Sequence, residues 1–327
     1  VKLRQAAAIL LVGAVAAALA GCAAGAQHGG DSAPAAFAID QDFPDPDVLM
    51  VDGTYYAYAT NSLTANVQYA TSTDLETWTV QADDVFPDLP QWADTGKTWA
   101  PEVTAAGDGV FLLYFTAADR ASGLQCIGVA SAAAATGPFE SVSPLPLICP
   151  ADEGGAIDAS SFVDADGSRW LLWKNDGNCC LLDTWLQLSP LSADGRSTAG
   201  EPIRLIKQTE AWQGSVVEAP VLIRHDEQYV LFYSANSYAD DSYAMGYATA
   251  SSVLGPYTNA VDPLFSTEGA GGRYLGPGGQ DIVASGAGQA GGDRIVLHSW
   301  DPAFVYRGMS VLDLDWHDGR PVVVPPA

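Results

Sequence analysis

The sequence predicts an all-β protein, a five-bladed β-propeller of four-stranded antiparallel blades, on three observations. A strand–turn–strand phrase recurs five times with starts about 55 to 63 residues apart, the signature of a repeat architecture. A second phrase, a short strand followed by a Gly, Pro or Asp turn, alternates with the first in five copies of its own. Glycine (33) and proline (20) are plentiful, and no long stretch past the N-terminal region keeps a helical period. Many short strands bounded by turn residues argue for an all-β chain.

The first phrase opens with Pro46-Asp47-Val48-Leu49-Met50-Val51, turns at Asp52-Gly53 and returns through Thr54-Tyr55-Tyr56. Later copies open at Pro101-Glu102-Val103, Asp158-Ala159-Ser160, Glu218-Ala219-Pro220 and, more faintly, Gln280-Asp281-Ile282. The second phrase falls at residues 67–71, 127–131, 186–189, 245–249 and 309–314. Two strands, a third, then a turn into a fourth make one blade, and five blades close a ring. The alternation in Tyr55-Tyr56-Ala57-Tyr58-Ala59 fits a strand packed between neighbouring blades. With each first strand starting at the mouth of a central funnel, the Asp-Gly turns lie at the far end. The loops after the second strands then face the mouth: Asn61-Ser62, Ala118-Asp119-Arg120, Asn175-Asp176-Gly177-Asn178, Asn236-Ser237 and Trp300-Asp301. Most are polar or amide-bearing, as a sugar-hydroxyl site requires, and Asn175 is put forward as a substrate-binding residue.

The charge balance, 14 Lys+Arg against 39 Asp+Glu for a net of −25, disfavours nucleic acid and anionic membrane surfaces. A neutral oligo- or polysaccharide fits, and a monomer is expected. At the N-terminus Lys2 and Arg4 precede an apolar run over residues 6–20, the pattern of an export signal. The run ends in Leu19-Ala20-Gly21-Cys22, which resembles the bacterial lipoprotein box, so residues 1–21 read as a lipoprotein signal peptide and Cys22 as the lipidated residue. Residues 22–39 are then a flexible tether and 40–327 the catalytic domain, placed at the bacterial cell surface with a lipid anchor as its sole membrane contact, or alternatively secreted. Cys126, Cys149, Cys179 and Cys180 remain, an even number in an exported chain, with three connectivities open. Pairing Cys126 with Cys149 would leave Cys179 and Cys180 to form a vicinal bridge; the spacings do not suit zinc.

Three phrases carry a carboxylate at the entry of the first strand, Asp45, Asp158 and Glu218, and a radial array brings these to one point. Glycoside hydrolysis needs one carboxylic acid to protonate the leaving oxygen and one carboxylate to activate water. Around them stand Phe43-Pro44-Asp45-Pro46-Asp47, Trp99-Ala100-Pro101-Glu102, Ala156-Ile157-Asp158-Ala159-Ser160 and Val217-Glu218-Ala219-Pro220, in this order. Together, over about residues 40 to 320, these resemble glycoside hydrolase family 43, five-bladed inverting glycosidases acting on arabinose- and xylose-containing polymers.

The resemblance implies Asp45 as general base, Glu218 as general acid, and Asp158 as the residue that orients the acid and raises its pKa. It implies Trp99 as an aromatic wall and gives Asp47 and Glu102 structural places. Where many relatives carry a Gly-His-Gly-Ser-like stretch, this chain reads Gly276-Pro277-Gly278-Gly279-Gln280-Asp281 and lacks that histidine. His298 is then the candidate to hold a structural calcium ion in the central channel; no cofactor is expected to be needed for the chemistry. Arg273 is a candidate to reach a sugar hydroxyl. The activity expected is hydrolysis of α-L-arabinofuranosides, with a β-xylosidase or other pentosidase as alternative and a non-catalytic sugar-binding propeller as a further one. A retaining fructan-cleaving propeller would carry an Asn-Asp-Pro-Asn-Gly entry, which is absent.

Overall fold

The computed structural model describes residues 35–285 and 292–326. Residues 1–21, Cys22 and most of the segment expected as a tether lie outside the described residues.

Five antiparallel sheets follow one another along the chain. Blade 1 comprises Asp47–Val51, Thr54–Ala59, Gln68–Ser72 and Thr79–Val80. Blade 2 comprises Ala93–Gly107, Val110–Asp119, Gln125–Ala132 and Glu140–Ser141. Blade 3 comprises Ala156–Val163, Arg169–Asn175, Leu186–Pro190 and Ile203–Ile206. Blade 4 comprises Val217–His225, Gln228–Ala235, Ala244–Ala250 and Thr258–Asn259, with a short extra strand, Phe265–Ser266, on its third. Blade 5 comprises Leu275–Val283, Asp293–Trp300, Arg307–His317 and Arg320–Val324. The first strand of every blade adjoins the first strands of its two neighbours, so the ring closes and the expected five-bladed propeller is formed. Ala38 and Ile39 hydrogen-bond with Met309 of blade 5, so pairing with the propeller starts slightly before the boundary expected at residue 40.

The apolar core is divided among the blade junctions, as the alternation of each strand dictates. Tyr58 and Phe115 meet between blades 1 and 2, Tyr114 and Trp173 between 2 and 3, Leu172 and Tyr233 between 3 and 4. Phe232 and Leu297 meet between blades 4 and 5, and Ile39, Phe43, Ala57 and Met309 seal the junction of 5 with 1.

Polar clasps at the axis join the same five junctions. Asp47 Oδ2 accepts from Val103 N (2.8 Å), Glu102 Oε1 from Ser161 N (3.0 Å), and Asp158 Oδ2 from Ala219 N (2.9 Å). Gln280 Nε2 donates to Ala219 O (2.7 Å), and Val48 N donates to Asp281 Oδ2 (2.9 Å), completing the circle. Each acid satisfies a backbone group that the next blade cannot pair in its own ladder. Asp47 and Glu102 thus occupy structural places.

Two disulfides are formed, Cys126–Cys149 in blade 2 and the vicinal Cys179–Cys180 in the loop after the second strand of blade 3.

Candidate active site

The repeats fall into register at one left-handed residue near the start of each first strand. Asp45, Ala100, Asp158, Ala219 and Gly279 have φ of 55°, 40°, 58°, 49° and 55°. In blades 2 to 5 the strand pairing slips at this point, a bulge that turns the first strand and re-aims its side chains. Non-glycine residues pay about 1–2 kcal/mol for this conformation, a cost that persists where the surroundings impose it. The bulges in blades 3 and 4, and the left-handed entry to blade 1, bring Asp158, Glu218 and Asp45 to a cavity of about 410 Å³ at the mouth, also lined by Trp99, Lys174 and Arg307.

Asp45 Oδ2 accepts from Thr60 Oγ1 (2.6 Å), and its own N–H donates to His298 Nδ1 (3.0 Å). Arg307 Nη1 lies 3.6 Å from Asp45 Oδ1. Burial alone would raise the Asp45 pKa, but Arg307, His298 and the Thr60 hydroxyl outweigh it and hold it below the ordinary carboxylate value. Burial, then Arg307, push the His298 ring down to about 3 against the pull of Asp45. At neutral pH His298 is therefore uncharged, and Arg307 supplies the positive charge that keeps Asp45 ionised. Gly279 makes room for this pair, because a Cβ there would overlap the His298 ring and stand 2.9 Å from Asp45 Oδ1.

Glu218 is held from two sides. Its Oε1 accepts from Tyr243 Oη (2.8 Å), and its Oε2 from Lys174 Nζ (3.0 Å). Lys174 is almost wholly buried, with Asp176 Oδ1 at 3.7 Å as its second partner. Burial would lower the Lys174 pKa, but Glu218, Asp158 and Asp176 together raise it, so the ammonium stays charged. The Asp158 carboxyl is pushed up to about 8, by burial first and then by the charge of Glu218, with Lys174 opposing. The Asp158 carboxyl thus keeps its proton through neutral pH beside Glu218. Asp45, across the cavity, does not.

Not every expected residue reaches the site. Trp99 lines the cavity. Asn175 does not: its Nδ2 donates to Glu153 O (3.1 Å) and Asp183 O (3.0 Å), while its Oδ1 accepts from Trp185 N (2.6 Å). With these bonds made it has nothing to offer a sugar, and it secures the loop instead. Arg273 points away, donating to Pro326 O (2.6 Å) and stacking on Tyr274; the arginine of the cavity is Arg307.

His298 does not fit a calcium ligand. Its Nδ1 receives the Asp45 N–H, which leaves the ring proton on Nε2, facing Arg307 at 3.5 Å. Neither nitrogen presents a lone pair, and the guanidinium repels a cation. Among the described residues no group of three or more His, Cys, Asp or Glu is arranged to hold a metal, and calcium wants six to eight oxygens.

Lys174, Arg307, Tyr243 and Thr60 went unread because they lie away from the strand-entry positions of the repeats, on second strands, third strands and loops. Lys174 did leave a signal: a cation that directly follows the apolar run Trp170-Leu171-Leu172-Trp173. A buried charge of that kind demands a buried partner.

Residues 38–321 match the family model described as Glycosyl hydrolases family 43. Among curated proteins the chain is 26% identical over 260 residues to the Beta-D-galactofuranosidase xynD of Aspergillus niger, covering 73% of this chain and 72% of that one. It is 24% identical over 262 residues to the Extracellular endo-alpha-(1->5)-L-arabinanase 2 of Bacillus subtilis, covering 71% of this chain and 53% of that one. Among solved structures, a thermostable family-43 glycoside hydrolase superposes with a TM-score of 0.76 at 27% identity, over 88% of this chain and 94% of that one. An endo-1,4-beta-xylanase from Bacteroides thetaiotaomicron superposes with a TM-score of 0.75 at 25% identity, over 88% and 96%.

Proposed function

The chain belongs to glycosyl hydrolase family 43, a family of inverting glycosidases, and on that premise we propose that it cleaves α-L-arabinofuranosidic bonds in arabinan or arabinose-bearing hemicellulose. Asp45 takes a proton from the attacking water as its oxygen bonds to the anomeric carbon. The glycosidic C–O bond breaks on the opposite face, and Glu218 delivers the proton of the Asp158–Glu218 pair to the departing oxygen. Single displacement leaves the product with inverted configuration.

One observation carries the catalytic part of this reading: carboxyl groups of opposite protonation share one cavity with Glu218, Asp45 kept ionised beside Arg307 and Asp158 pushed up to about 8. Lys174 and Tyr243 fix Glu218 and leave it two hydrogen bonds from which to approach the leaving oxygen. The arabinofuranosyl part is supported by the arabinanase of Bacillus subtilis among the relatives.

A second reading, β-D-galactofuranosidase, is favoured by the Aspergillus niger relative. The two sugars share their furanose ring configuration and differ at the exocyclic carbons, so one pocket could accept either ring. Purified protein is assayed on nitrophenyl α-L-arabinofuranoside, β-D-galactofuranoside and β-D-xylopyranoside, and on arabinan. Release from the arabinofuranoside and arabinan is expected; hydrolysis of the galactofuranoside or xyloside alone would replace the substrate reading.

The export and anchoring part of the proposal rests on residues 1–22. Mass spectrometry of membrane-fraction protein is expected to find a lipid-modified Cys22 at the mature N-terminus; an unmodified Cys22 in that fraction would remove the anchor.

A further inference from the structure

We propose that the Cys179–Cys180 disulfide and Leu181 form an apolar subsite that holds the sugar on the leaving-group side of the scissile bond. The proposal rests on the glycosidase reading above and extends it to a part of the cavity that the chemistry leaves unused.

The loop between Asn175 and Leu186 rises from blade 3 to the mouth, and Cys179 lines the cavity there. Both cysteines are exposed. Leu181 follows with φ 60° and ψ 32°, the left-handed region, and its side chain is 99% exposed; Leu182 is 46% exposed. A leucine gains nothing for the fold in that position. Its backbone is disfavoured by its own Cβ, and its side chain buries no surface. Such an outlier beside a site points to a ligand rather than to stability.

The strip is held in place. Asn175 ties both ends of the loop, Leu182 N donates to Gly177 O (2.9 Å), and Cys179 N donates to Asp176 O (3.2 Å). At Gly154 a Cβ would come within 3.2 Å of Cys179 Sγ, so the chain beneath the disulfide is closely packed. The exposed cysteines and leucines are therefore presented by a fixed frame.

Position in the ring assigns the occupant. Asp176, on this loop, lies 3.7 Å from Lys174 Nζ, which holds Glu218 at 3.0 Å. Asp45 belongs to the other side, among His298 and Arg307. The oxygen that departs is the one Glu218 protonates, so the strip flanks the departing sugar. A neutral sugar ring offers a C–H face that packs on apolar surface, and a chain of net charge −25 gives an anionic partner no purchase.

The test measures affinity by calorimetry on the Glu218→Gln background, comparing a monosaccharide with the matching trisaccharide of whichever sugar wild-type protein cleaves. Two changes are introduced: Cys179→Ser with Cys180→Ser, and separately Leu181→Gly. The trisaccharide-to-monosaccharide affinity ratio is expected to fall about tenfold in each. Leu181→Gly is also expected to match or exceed the parent in melting temperature, because glycine suits the left-handed backbone. A ratio unchanged in both variants overturns the subsite, as does a loss in equal proportion for both ligands. If wild-type protein cleaves none of the arabino-, galactofurano- or xylo-oligosaccharides, the functional reading itself fails and the subsite fails with it.

Discussion

Replacing Lys174 by methionine tests how the proton of the acid pair is controlled. The ammonium is buried, 3.0 Å from Glu218 Oε2, and opposes the burial and mutual repulsion that push Asp158 up to about 8. Methionine keeps the unbranched apolar stem and removes the charge. A cation lost from this distance shifts a carboxyl by about 1–3 units, and the sign is fixed: without it the ionised form is less favourable and the pKa rises. Asp158 must stay protonated for Glu218 to act as acid, so the basic limb of kcat/KM, expected near pH 8 in the parent, moves to higher pH. Stability falls as well, because removing one partner of a buried ion pair costs about 3–5 kcal/mol. The assay is kcat/KM from about pH 5 to 10 beside urea unfolding at the two extremes. A basic limb that stays in place, or moves to lower pH, refutes the reasoning even if activity drops.

Further outcomes follow from the same geometry. Asp45→Asn and Glu218→Gln each lower kcat by at least about 10³-fold with folding intact by circular dichroism, and near-parent turnover in either would remove its assigned role. Arg307→Met takes from Asp45 the charge that holds its pKa low, so the acidic limb of kcat/KM moves to higher pH; an unmoved limb would show that Thr60 suffices. Melting temperature falls as pH rises from about 6.5 to 9. Asp158 (pushed up to about 8) and Asp281 (pushed up to about 7) are both raised above their unfolded value, so the stability they lend at low pH is lost as pH climbs through those values. His298, depressed to about 3, stays neutral in that window and does not contribute. A melting temperature flat across the window would contradict the raised values.

The propeller was legible because its period is written in the chain: each copy repeats an entry residue, a strand and a turn, and packing has one way to close five such units. Asp45, Asp158 and Glu218 were legible for the same reason, since each stands at the entry of its copy, Glu218 one residue before the position that Asp45 and Asp158 share. The left-handed bulge beneath them was not, because Asp45, Ala100, Asp158, Ala219 and Gly279 share a backbone conformation without sharing a side chain. Asn175 was misread because a polar loop residue at the mouth has two uses, ligand or backbone clasp, and composition does not separate them. Arg307 and Tyr243 were missed because they reach Asp45 and Glu218 from outside the repeated entry phrase, Tyr243 from within blade 4 and Arg307 across the closure of blade 5 on blade 1.

The most direct test of the mechanism is a proton NMR spectrum taken in the first moments of furanoside hydrolysis. If water held by Asp45 displaces a leaving group protonated by Glu218, the anomeric signal that appears first belongs to the sugar of inverted configuration, and mutarotation then feeds the other. First appearance of the retained anomer would mean a covalent intermediate, and Asp45 and Glu218 could then not be the base and acid of a single displacement.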